Sequence, residues 1–219
     1  MAAAGAPHVP KPRVIVYIDG FNLYYGAVKS TPALKWLDLE RFCKLLRPND
    51  DVQAVKYFTA LINGPTKPNQ EAYLRALATT PLVSVILGKF KDKNVRCGVT
   101  TCTHLASKRF KVPEEKRTDV NIAISMLDDC YQDLCDHLIL FSGDSDLVPA
   151  VSLIRLRFAA KTVTVYVPSN NPIRGAAVEL RLAATKHRNL PLSLLPNAQF
   201  PDAIPDGGGG IINRPAAWT

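Results

Sequence analysis

Short runs of consecutive apolar residues alternate along this chain with stretches whose apolar residues recur every three or four positions. The runs at 14–18 (VIVYI), 52–61 (VQAVKYFTAL), 82–87 (LVSVIL), 138–141 (LILF) and 161–167 (KTVTVYV) are rich in β-branched and aromatic residues and predict five strands. Between them the spacing predicts helices over 36–46, 69–79, 114–131, 147–156 and 174–184. In the first, Leu37, Leu39, Phe42, Leu45 and Leu46 form the apolar face. The helix over 114–131 carries Val120, Ile122, Ala123, Ile124, Met126 and Leu127, which predicts burial on most of its sides. Asp128, Asp129, Asp133 and Asp136 at its far end read as a solvated acidic patch. Near-continuous apolar strands alternating with helices imply βαβ units and an α/β domain with a mainly parallel sheet.

One stretch breaks the rhythm. Residues 88–113 are basic and poor in apolar positions, and read as a loop or hairpin inserted into a single domain spanning 13–195. Residues 1–12 read as a disordered arm. Residues 196–219, rich in Pro and Gly with four consecutive glycines at 207–210, read as a tail, mobile from 206 onward. No internal repeat is visible.

Composition narrows the class. The chain has 219 residues, of which 47% are apolar, enough for one well-buried core. No apolar stretch reaches the roughly 18 residues needed to span a membrane, and the first residues lack the basic and apolar regions of a secretory leader. Five cysteines, an odd number at low density, favour reduced thiols and hence a cytoplasmic protein. A net charge of +8 favours a polyanionic partner, RNA above all, although charge of this size also serves solubility. The positive residues crowd one segment: Lys89, Lys91, Lys93, Arg96, Lys108, Arg109 and Lys111, with Lys116 and Arg117 close behind. The same segment holds Cys97, Cys102 and His104, three potential ligands for a structural Zn²⁺ whose fourth is missing. The sequence leaves the oligomeric state open, a homodimer included.

The chemistry gathers where strands end. The run at 14–18 stops at Asp19-Gly20, with Asn22 three residues on. The run at 138–141 stops at Ser142 and Gly143, then Asp144 and Asp146. A strand entering a helix through a short turn sets that turn at the carboxyl edge of a parallel sheet, where open α/β folds bind ligands. Each Asp has a plain structural reading as a helix N-cap or turn residue. Two carboxylates one residue apart repel, however, unless a cation lies between them. Asp119, in the first turns of the helix that leads into the run at 138–141, can join them. An all-oxygen set of Asp19, Asp119, Asp144 and Asp146, with Asn22 orienting, suits Mg²⁺ or Mn²⁺ and phosphodiester hydrolysis. No phosphate-binding G-x-x-x-x-G-K-[ST] loop and no serine or cysteine triad spacing competes.

Three motifs, VYIDGFNLYYG (16–26), EEKRTDVNIAISML (114–127) and LFSGDSDLVPAV (140–151), resemble in content and order those of the NYN family, the PIN-like group that includes the LabA-like proteins. The resemblance covers about 13–167. It implies a Rossmann-like three-layer α/β/α sandwich, a metal-dependent ribonuclease, and a family acidic site falling on Asp19, Asp119, Asp144 and Asp146 beside Asn22. Lys116-Arg117 stands where family members often have Lys-Gly, and Ser125 where many have a further Asp. The same subgroup is similar to proteins named 6-hydroxy-3-succinoylpyridine hydroxylases, NADH-dependent enzymes of a different reaction class. That activity, and a non-catalytic RNA-binding module, are the alternative readings.

Overall fold

The computed structural model describes residues 10–103, 108–169 and 178–219. The chain begins with β1 (Arg13–Asp19), α1 (Gly20–Leu23), α2 (Leu39–Leu46), β2 (Asp51–Thr59), α3 (Lys67–Leu77) and β3 (Val83–Leu87). A hairpin of β4 (Lys89–Arg96) and β5 (Arg109–Lys116) follows. Then come α4 (Thr118–Tyr131), β6 (His137–Phe141), α5 (Val148–Arg157), β7 (Thr162–Val167), α6 (Val178–Ala183) and β8 (Lys186–Asn189), and last a small ribbon of β9 (Ala203–Pro205) and β10 (Ile211–Asn213). Six strands, not five, form one parallel sheet in the order β3-β2-β1-β6-β7-β8. The chain works outward from β1 to one edge, then returns to start again at β6, so the order reverses between those two strands. That reversal opens a crevice at their carboxyl ends.

Alternation along the strands sorts the core into two layers. On β1, Val14, Val16 and Ile18 face a cluster with Leu39 and Phe42 of α2 and Tyr73 and Leu77 of α3. Ile15 and Tyr17 face the opposite cluster, with Ile122 and Met126 of α4, Val151 and Ile154 of α5 and Leu180 of α6. These are the three layers of an α/β/α sandwich. β8, the strand the pattern missed, is an exposed KHRN edge. A solvated edge strand has no apolar alternation to reveal it, and charge there discourages edge-to-edge pairing.

Several local expectations change. α4 starts at Thr118, because Glu114, Glu115 and Lys116 are taken up by β5 pairing with β4. It buries one face only, leaving Val120 and Ile124 each 60% exposed. Asp129 is no solvated residue. It is buried, accepting both from Lys56 Nζ (2.7 and 2.8 Å) and from the Tyr17 hydroxyl (2.6 Å). Asp133 and Asp136 pair with Arg13, and Asp133 also with Lys161. The expected helix over 36–46 starts only at Leu39, capped by Asp38, which accepts from Arg41 N (2.9 Å). Trp36 and Leu37 instead run antiparallel to the C-terminal segment, through Phe200 N to Trp36 O (2.9 Å) and Asp38 N to Ala198 O (2.8 Å).

That segment packs onto the domain. Leu195, Ala198, Phe200, Ile204 and Ile212 are buried in the α2–α3 layer. The four glycines make the turn between β9 and β10, where Asp206 accepts from Gly208 N (2.9 Å) and Gly210 N (2.8 Å). Gly207 and Gly209 have φ of 79° and 93°, which side chains rarely tolerate. The arm at 1–9 lies outside the described residues.

At the amino end of the sheet, His137 is buried at the start of β6 with Nε2 2.7 Å from Thr164 Oγ1. Its Nδ1 lies 3.4 Å from Arg47 Nη2 and 3.9 Å from the Asp50 carboxylate. Burial, helped by Arg47 and Lys186 and opposed by Asp50, pulls its pKa down to about 4. The unfolded chain therefore binds a proton there below about pH 6.5 that the folded chain refuses until about pH 4. This histidine costs stability as the pH falls through that window. His137→Gln is expected to flatten the fall by up to about 1.4 kcal/mol per pH unit, measured as urea midpoints at several pH values. Equal slopes in the two proteins would refute the assignment.

Candidate active site

Parallel pairing of β1 with β6 sets Ile18 beside Phe141, so the turns that follow face each other across the crevice. Asp19 ends β1, is 3% exposed and caps α1. Its carboxylate accepts from Asn22 N (2.9 Å), Asn22 Nδ2 (2.5 Å) and Ser142 Oγ (3.1 Å). Burial raises its pKa and these hydrogen bonds oppose the rise; Asp144 adds a smaller upward push. Asn22 works in both directions, since its Oδ1 accepts from Gly143 N (3.0 Å). It thus ties the first motif to the third and positions Asp19. On the far side, Ser142 Oγ accepts from Asp144 N (3.1 Å), and Asp144 accepts from Asp146 N (3.0 Å), capping the short turn at Ser145–Leu147.

α1 must approach β2 closely for this geometry. A Cβ on Gly20 would stand 2.7 Å from Phe58 O and 2.8 Å from the Tyr57 hydroxyl. No other residue fits there without displacing β2 backbone.

Asp119 enters from the start of α4, half-buried. Its pKa is pushed up to about 6, first by burial and then by Asp144, Asp19, Glu115 and Asp146. Mutual repulsion of this kind requires that the four aspartates share one neighbourhood. As they stand, however, no three His, Cys, Asp or Glu groups among the described residues converge tightly enough to enclose a metal ion. The two observations agree for Mg²⁺, which commonly takes only one or two carboxylates directly and completes its shell with water and substrate phosphate. The donor chemistry, carboxylates and an amide oxygen with no thiol or imidazole, fits a hard divalent cation. In the zinc expectation, Cys97 and Cys102 are half-buried, while His104 lies outside the described residues.

The hairpin stands beside this site. Lys89 faces Lys116, and Lys91 faces Glu114 across the ladder, so alternation sets Lys89, Lys91, Lys93 and Lys116 on one face. Arg96 falls on the other face with Phe90, which separates it from the lysine row. Glu114 tempers the row, lying 3.5 Å from Lys93 and 3.2 Å from Lys116. Arg117, chiefly, and Lys91 lower the pKa of Lys89. Arg117 joins hairpin to α4 with φ of 83°, a left-handed conformation that costs a side-chain-bearing residue about 1 kcal/mol. Arg117→Gly is expected to raise stability by about 0.5 kcal/mol, the relief of strain less the added freedom of the unfolded chain. A lower urea midpoint in the variant would contradict this.

Sequence reasoning missed three supporting groups. Ser142 is fully buried between Asp19 and Asp144, and its place in S-G-D-S-D was the available signal. Glu115 accepts from Thr118 N (3.2 Å) and from the Thr118 hydroxyl, fixing the start of α4. The hydroxyl of Tyr57 reaches Gly20 from β2 and had no local signal at all.

A doubly wound parallel sheet with aspartates beside its switch point defines an α/β protein of the kind that binds ligands at the carboxyl edge. Residues 13–191 match the NYN domain, and the chain belongs to that family. This membership points to the PIN-like nuclease class. The chain is also 28% identical, over 94% of its own length and 75% of the relative's, to 6-hydroxy-3-succinoylpyridine 3-monooxygenase HspA of Pseudomonas putida. A crystal structure of a protein of unknown function from Vibrio parahaemolyticus superposes with a TM-score of 0.49 at 20% identity, covering 85% of this chain and 96% of that one. Among the described residues, no helix is long and apolar enough to cross a membrane.

Proposed function

We propose that this protein is a metal-dependent ribonuclease. The observation that carries the proposal is the gathering of Asp19, Asp119, Asp144 and Asp146, from three separate motifs, over the reversal point of the sheet and beside a row of lysines. Asp19, Asp144 and Asp146 would share a hydrated Mg²⁺ or Mn²⁺, one or two of them binding it directly and the rest through water, with Asp119 completing the acidic pocket. A divalent cation there supplies charge stabilisation to a phosphoryl oxygen and lowers the pKa of bound water. Asp19 is held rigid by its three donors, so it need not reorganise when substrate arrives. The Asn22–Gly143 bond keeps the two turns in register. Lys89, Lys91 and Lys93 would receive the phosphate backbone.

Replacing those three lysines by Gln is expected to reduce the log–log salt slope of single-stranded RNA binding by about 2. An unchanged slope would remove the hairpin from the interface. The test of the whole reading is incubation with mixed-sequence single-stranded RNA in Mn²⁺ and in chelator. Metal-dependent scission is expected.

The similarity to HspA over most of both chains favours a second reading, oxygenation of a hydroxylated pyridine. A monooxygenation consumes two electrons from outside the substrate, so NADH oxidation is followed in parallel with 6-hydroxy-3-succinoylpyridine. Intact RNA together with substrate-coupled NADH loss would exchange the first reading for the second.

A further inference from the structure

A cavity of about 570 Å³ opens between α1, β2, α3, the hairpin and the C-terminal residues. Gly20 and Thr59 line it, so it begins one residue from Asp19. Its walls are aromatic: Phe21, Tyr24 and Tyr25 beyond Gly20, Tyr73 from α3, Phe90 from the hairpin and Trp218 from the folded C-terminal segment. Phe21 and Phe90 meet edge to face at 5.6 Å, and Tyr73 and Trp218 at 6.0 Å. The rings thus brace one another while leaving the space between them open. Tyr25 is 62% exposed, so its ring is open to solvent where it lines the cavity.

The polar groups around the cavity divide into two kinds. Gln70 is committed to the loop after β2, donating to Ala60 O (3.0 Å) and accepting from Ile62 N (2.9 Å), and the Tyr73 hydroxyl donates to Leu37 O (2.9 Å). Asn63 and Thr66, both exposed, and the half-buried Asn69 also line the cavity and carry both donors and acceptors. Ring faces for stacking, amides for edge hydrogen bonds, and a volume typical of small-ligand sites describe a receptor for a flat, polar-edged ring.

We propose that this cavity binds one flat nitrogen heterocycle, a nucleobase of the RNA or a free hydroxylated pyridine, and holds its attached group over the acidic site. The proposal rests on the carboxylates being the reacting centre, as argued above. It adds that ring recognition is separate from the charge of the chain carrying the ring.

Binding is read in chelator with the Asp146→Asn protein, so no scission enters. The probes are fluorescein-labelled hexauridylate and hexaadenylate, an abasic ribose-phosphate hexamer and free 6-hydroxynicotinate, the last followed by tryptophan quenching. Two variants, Asn69→Leu and Phe90→Ala, are compared after melting curves show both folded; Phe90 sits on the hairpin outside the main sheet. If the ring belongs to RNA, both variants weaken the base-bearing hexamers at least tenfold and leave the abasic hexamer unchanged. If the ring is free, 6-hydroxynicotinate binds saturably and both variants weaken it by the same factor. Saturable binding of neither, or binding indifferent to both variants, overturns the proposal. A nuclease with an idle cavity would still cut RNA, and a ring-binding protein without nuclease activity would still respond here, so the two readings fail separately.

Discussion

Asp146→Asn is expected to lower metal-dependent RNA cleavage by about a thousandfold, several kcal/mol of transition-state stabilisation. Its apo stability should stay within about 0.5 kcal/mol of the parent. The separation is possible because Asp146 is exposed and its backbone, not its side chain, makes the turn: Asp146 N donates to Asp144. Asp144 and Asp19 are worse choices. Asp144 caps the turn, and Asp19 accepts three hydrogen bonds in a buried position, so an amide at either place also disturbs folding. The measurement is single-turnover cleavage in Mn²⁺ with a melting curve on the same preparation. Retention of more than a tenth of the parent rate would remove Asp146 from the catalytic set. Added Mn²⁺ should also raise the parent's melting temperature, by binding the native state and relieving repulsion, and should do so much less in the variant.

Trp36→Ala should cost about 3–5 kcal/mol, the range for removing a fully buried large aromatic ring. Trp36 is the residue on which the C-terminal segment docks. Its ring lies 5.8 Å from Phe200, 6.1 Å from Trp218 and 6.2 Å from Tyr73, and its Nε1 donates to Pro201 O (2.8 Å). Truncation leaves a void and removes the anchor for residues 199–219. Limited proteolysis should then cut within that segment while the main sheet resists. Because Trp218 is a wall of the aromatic cavity, the same change should abolish ring binding. A melting temperature close to the parent's, with the segment still protected, would show that the docking does not depend on this ring.

The sequence by itself determined the alternation of strand and helix, the parallel sheet and the four aspartates at strand and helix ends. Those features are local: a buried parallel strand must be apolar throughout, and a turn at its end must be short and polar. The crevice was legible for the same reason, since Asp19 directly follows one such run and Asp144 follows another after the short Ser142-Gly143 turn. What joins the two turns was not legible as a bond. Asn22 reaches Gly143 across 121 positions, and Ser142 reaches Asp19 across 123.

Tertiary structure alone decided the remainder. β8 has no pattern because an exposed edge imposes none. The segment at 196–219 read as a tail outside the domain because its buried residues, Ala198, Phe200, Ile204 and Ile212, follow neither a helical nor a strand period and are separated by Pro and Gly. Their burial depends on a groove that exists only once α2 and α3 have packed on the sheet. Asp129, on α4, looked solvated because its partners, Tyr17 and Lys56, lie on β1 and β2. The aromatic cavity was least visible, because its walls come from separate stretches between Gly20 and Trp218, and only the finished fold brings those rings together.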